Sequence, residues 1–189
     1  MTFRIPTLDA KLAVTAVTAG AFATIGFDLF GQTVSPLLAS VPTLGAKLAP
    51  VPLAEGSLAV LTGLDAKTIS SNGLGHAVHV LTGLLAYPFG YLLAARPLSN
   101  AVLRAPWWVT GALYGIALWV FALYVMAHLV AGLPAFLGFT GITWVALWGH
   151  VLFGLIVAGI SRLRREPREE FESEEWRSAY SPLERFARV

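Results

Sequence analysis

All four histidines of the chain, His76, His79, His128 and His150, fall in its long uncharged stretches, and one carboxylate, Asp28, interrupts another apolar run. Imidazole and carboxylate together are the ligand chemistry of a zinc, copper or iron site, or of a haem held by two imidazoles from different helices. The spacing His76-x-x-His79 sets two imidazoles on one helical face about a turn apart. The same five groups equally make a hydrogen-bonded network that fixes helix register, or a proton or small-solute path. An ionisable group at the centre of a membrane helix costs about 2.5–3.5 kcal/mol on insertion scales, which makes these residues the natural place to look for function.

The elements that must position them follow from composition. Of 189 residues, 56% are hydrophobic and 13% charged, against about 45–50% and about 25% in an ordinary soluble domain. Fourteen of the 24 charged residues crowd into residues 162–189, leaving a body that needs lipid as its solvent. With no cysteine there is no disulfide, thiolate site or cysteine nucleophile, and a net charge of +2 gives no nucleic-acid footprint. Gaps between charges, set against the roughly 20 apolar residues a crossing needs, predict an all-α membrane protein. Its four spans fall at about 11–31, 73–95, 106–131 and 141–160, with a turn at Gly132-Leu133-Pro134. Pro88 is expected to kink the second span. The first is read as a retained helix, its apolar run being long for a signal peptide.

Arg4 and Lys11, Arg96 and Arg104, and the arginines after residue 161 all fall on one side of this topology. The excess of basic residues on the cytoplasmic side predicts N-in and C-in. The 41 residues from Gln32 to Asn72 then form an outer segment too long for an idle connection. Either a short surface helix lies within Leu53–Ile69, with Leu58, Leu61 and Leu64 turned inward, or the segment plugs the bundle. In the Arg/Glu-rich tail, Trp176, Tyr180 and Leu183 fall at i, i+4 and i+7, a stripe suited to docking on the membrane surface or a neighbouring subunit.

This topology puts Asp28, His76 and His128 within about a turn of the outer end, His79 about 4–5 Å deeper and His150 near mid-membrane. On a wheel at about 100° per residue, His79 shares an arc with Gly75, Gly83 and Gly90, Asp28 with Val14, Val17 and Thr24, and His128 with Tyr114 and Tyr124. Gly111-x-x-x-Gly115 on the third span favours close helix packing. The sequence holds no phosphate-cradling loop, Ser-centred elbow or His-Glu-x-x-His.

Gly75-His76, the long segment after the first span, Gly149-His150, and the Arg-rich stretch from Ser161 to Arg165 give residues 11–165 a further likeness. In these features the chain resembles the YagU-like family of bacterial inner-membrane proteins. The resemblance implies a bacterial inner-membrane location and brings no established reaction. The resulting expectation is a non-enzymatic accessory subunit or helper in a larger membrane assembly, in electron transfer, photosynthesis or envelope homeostasis. It would associate with other membrane subunits or with itself. The rival is a metal- or haem-binding protein using the His/Asp cluster.

Overall fold

The computed structural model describes residues 6–41 and 43–164, and the regular elements among them are all helical. They are α1 (Ala10–Leu37), α2 (Pro50–Thr62), α3 (Ala66–Ser71), α4 (Leu74–Leu103), α5 (Trp107–Val130) and α6 (Gly141–Leu163). Four of these, α1, α4, α5 and α6, are long and apolar enough to cross a bilayer. Asp9 starts α1 by accepting the Leu12 N–H at 2.7 Å, satisfying one of the donors a helix start leaves open.

The first and second spans run beyond their expected ends, and prolines explain why the sequence pattern hid this. Pro36, Pro88 and Pro97 lack the N–H that would bond four residues back, and their rings crowd that carbonyl. In each case the residue before the proline donates five residues back instead: Ser35 to Phe30, Tyr87 to Thr82 and Arg96 to Tyr91. A widened turn therefore precedes each proline, and the helix continues through it. At Pro88 this wide turn is how the helix takes up the ring. The helix α4 ends only where Arg104 turns left-handed, at φ 48°.

Around the bundle the order is α4, α1, α6, α5, with α1 and α6 at the centre. Small residues bring the backbones together. A Cβ on Gly154 would lie 2.1 Å from the Gly111 carbonyl oxygen, and one on Gly115 would lie 2.3 Å from that of His150, so the expected glycine pair is the α5–α6 seam. Gly20 of α1 packs the same way on the backbone at Gly83 and Leu84 of α4. By contrast α4 and α5 meet chiefly where residues 91–95 face 107–120, joined by the Tyr114 hydroxyl donating to the Tyr87 carbonyl at 2.5 Å. Beyond Tyr87 they part.

The segment between α1 and α4 folds back over this gap. The Ser35 hydroxyl serves the carbonyls of Leu44 and Ala46, and the Leu48 N–H donates to the Gly31 carbonyl at 2.9 Å. From there α2 bridges the start of α4 and the end of α5. The sequence reading placed Leu58, Leu61 and Leu64 inward. In α2 the buried side chain is Ser57, whereas Leu61 is 64% exposed and Leu64, just past the helix, 43%. Leu58 and Leu61 nonetheless line the space that α2 covers, as expected of an inward stripe, while Leu64 lies past the helix and does not. After α5, residues 136–139 form a left-handed turn with Phe136, Leu137 and Phe139 at φ of 49°, 52° and 54°. Thr143 and Trp119 brace this turn, Thr143 Oγ1 donating to the Phe136 carbonyl and Trp119 Nε1 to the Thr143 carbonyl.

Candidate functional site

On α1, Gly20, Thr24 and Asp28 follow one another at four-residue intervals and form one stripe along the helix. It lies against α4, where the Thr24 hydroxyl sits 2.3 Å from where a Cβ on Gly83 would be, so no side chain could separate the helices there. One turn further along, His79 Nε2 donates to the Asp28 carboxylate, 3.0 Å from Oδ1 and 3.2 Å from Oδ2. Gln32 Nε2 donates to Oδ1 at 3.2 Å. Acid and imidazole thus satisfy each other across the α1–α4 contact, with side chains 31% and 17% exposed.

Phe27, the next residue round α1, turns toward α6. Gly149 leaves it room: a Cβ there would be 2.9 Å from the Phe27 ring. The ring stands between two imidazoles, edge-on to His150 with centroids 5.0 Å apart and 6.2 Å from His79. His150 is buried, and its Nδ1 lies 2.7 Å from the Ala146 carbonyl. A carbonyl only accepts, so Nδ1 carries the proton, which in the neutral imidazole leaves Nε2 as an acceptor.

These groups border a cavity of about 750 Å³ where α4 and α5 part, roofed by α2. Its wall is mostly aliphatic and aromatic, and among the described residues no Lys, Arg, Asp or Glu lines it. The polar side chains in the wall include Thr24, Ser57, Thr82, His79 and His150. The Thr24 and Ser57 hydroxyls are buried without a hydrogen-bond partner. Buried hydroxyls are almost always paired, since an unmade bond costs about 1–3 kcal/mol, so two such groups in one wall call for an explanation. Ala86 of α4 and Phe121 of α5 are among the lining residues that also reach the surface, so the cavity has an opening between those helices. The α5 wall, residues 121–130, is a continuous run of wide turns, a geometry frequent at functional sites.

Of the five residues singled out from the sequence, the structure brings Asp28 and His79 into contact and sets His150 beyond Phe27. The other two stand apart. His76 is exposed at the start of α4, and His128 Nδ1 donates to the Leu133 carbonyl at 2.8 Å, closing the end of α5 beside the Tyr124 ring. Among the described residues no three His, Asp or Glu side chains converge as a metal site, so the expected five-residue cluster does not assemble there. The wheel's pairing of His128 with Tyr124 is met in the structure, but it gave no sign that the imidazole would be engaged by the Leu133 carbonyl at the end of α5. It also counted Val14 and Val17 with Asp28, yet these are 53% and 40% exposed. Ser57 was missed altogether, because it sits on the leucine stripe itself, one turn from Leu53 and Leu61, where the apolar pattern hides it. Trp176, Tyr180 and Leu183 lie outside the described residues. Comparison with known protein families, curated proteins and solved structures returned no match.

Proposed function

We propose that the chain is a non-enzymatic membrane helper whose working part is the cavity between α4 and α5, which holds a lipid-soluble amphiphile. The observation that carries this reading is the pairing of an apolar, laterally open cavity with two unpartnered hydroxyls in its wall. Ligand pockets of about 300–1,000 Å³ are typically apolar with a few placed polar groups, and this one matches in size and lining. The metal or haem reading has less support, because Phe27 stands between His79 and His150 and the remaining candidates lie elsewhere. The proton-path reading is left with one short pair, Asp28–His79.

The basic residues flanking the spans favour both ends in the cytoplasm, and the YagU-like resemblance favours a bacterial inner membrane. In that setting the helper would work with other membrane subunits or with a second copy of itself. The test is binding of membrane amphiphiles to the full chain in mild detergent. A saturable site, one per chain and abolished by Ala86→Trp at the mouth, is the expected result. If no amphiphile saturates the folded protein, the reading is wrong. A coloured, metal-loaded preparation would favour the rival.

A further inference from the structure

Resting on the amphiphile reading above, we infer that the ligand is a neutral, ring-headed amphiphile of the quinone or quinol class. Thr24, Ser57 and His150 would take its oxygens. Charge comes first. Among the described residues the cavity wall offers no lysine or arginine, and Asp28, next to the lining residue Phe27, is already engaged by His79 and Gln32. A phosphate or carboxylate headgroup would thus enter an apolar space with no fixed cation to replace its water, which strongly disfavours it. A headgroup without formal charge avoids that penalty.

The polar groups then restrict the chemistry further. The Thr24 and Ser57 hydroxyls, on α1 and α2, each have a proton to give and nothing in the protein to receive it. His150 Nε2, on α6, has a lone pair to offer, its other nitrogen being committed to the Ala146 carbonyl. A ligand meeting all three needs oxygen atoms reaching toward different helices, accepting from hydroxyls and, in a reduced form, donating to an imidazole. Two oxygens at opposite ends of one ring provide this.

Ring contacts point the same way. Phe27, Tyr87, Phe121 and Phe153 line the cavity together with the two imidazoles, and Tyr87 meets Phe153 edge-on at 5.8 Å. Such walls accept a flat ring in stacked or edge-to-face contact, whereas a plain acyl chain gains nothing from their geometry. A tail attached to the ring leaves through the mouth between Ala86 and Phe121 into lipid. The inference concerns binding, and no electron transfer is included in it.

The test uses the full chain in neutral detergent and a decyl-tailed p-benzoquinone, with affinity read from quenching of tryptophan fluorescence. Saturable binding is expected, weakened about 3- to 10-fold by Thr24→Ala and again by Ser57→Ala, the loss of one hydrogen bond each. Without quinone both variants should unfold at the wild-type temperature or above it, because the deleted hydroxyl had no partner. That measurement separates lost binding from lost fold. Undiminished quinone binding in the folded double variant would overturn the assignment. So would a diacylglycerol or a zwitterionic phospholipid saturating the site where the quinone does not, although the amphiphile reading would then stand. If none of the three saturates, both fall.

Discussion

Replacing Gly115 with alanine tests the packing on which His150 depends. The new Cβ would lie 2.3 Å from the His150 carbonyl oxygen, 2.6 Å from Val151 Cα and 2.7 Å from the His150 carbonyl carbon. All three are backbone atoms, so no side chain can swing aside. Ordinary contact begins near 3.4 Å, and α5 and α6 must therefore separate locally by about 1 Å. Overpacking of this kind costs about 1–3 kcal/mol, while alanine in place of glycine returns about 1 kcal/mol of helix propensity. The net expectation is a loss of up to about 2 kcal/mol, or a fall of up to about 8 °C in Tm for a chain of this length, and in either case about 1–3 kcal/mol below an alanine placed at an uncrowded glycine. Two other glycines supply the control. Nothing lies within 4 Å of a Cβ on Gly56, and at Gly159 the nearest atom is the Trp107 ring at 3.5 Å. Gly56→Ala and Gly159→Ala should therefore be neutral or stabilising by up to about 1 kcal/mol. Thermal unfolding in one detergent, followed by circular dichroism, compares the three. If Gly115→Ala is as stable as Gly56→Ala and Gly159→Ala, the seam does not hold His150 in the way described.

Three further outcomes are expected. Asp28→Asn should destabilise by about 0.6–1.7 kcal/mol, the range measured for side-chain hydrogen bonds between membrane helices, and a double-mutant cycle with His79→Ala should return a coupling of that size; a coupling of zero would contradict the contact. Ser35→Ala leaves the Leu44 and Ala46 carbonyls without their donor, so limited proteolysis should cut residues 38–49 several times faster than in wild type, and an unchanged rate would count against the staple. Asp65 accepts the Thr68 hydroxyl and N–H at the start of α3, which holds its carboxyl below the usual carboxylate range. A depressed value in the fold means stabilisation that is complete above the ordinary value of about 3.9 and fades as pH drops through the folded one. Amide-exchange protection of residues 66–71 should accordingly decline in acid, and the decline should vanish in Asp65→Ala.

The four spans could be read from the sequence because a bilayer imposes a length and excludes charge, both one-dimensional properties. The glycine seam at Gly111 and Gly115 was readable for a similar reason, since small residues four apart mark close approach whichever helix the partner is. The cavity was not readable. It arises where α4 and α5 part beyond Tyr87, and the space left between helices is not a property of either one. Asp28–His79 lay in between: the wheel placed His79 on its glycine face correctly, but nothing in one dimension distinguished this pair from the His76 and His128 alternatives. The orphan hydroxyls illustrate the limit most sharply, because serine and threonine are ordinary residues in membrane helices and acquire meaning only once their lack of a partner is seen.

The prolines of α4 have a consequence for how that helix transmits change. A turn that spans one residue more than usual advances the numbering without advancing the helix by the same angle, so everything past it is out of phase by about one residue, roughly 100°. Pro88 and Pro97 each sit behind such an offset, and the side chains from Pro97 to Leu103 owe their facing to both. Restoring an ordinary residue at Pro88 would give the chain leave to rewind, and a substitution near mid-helix would then be felt as rotation at the distant Arg104 end.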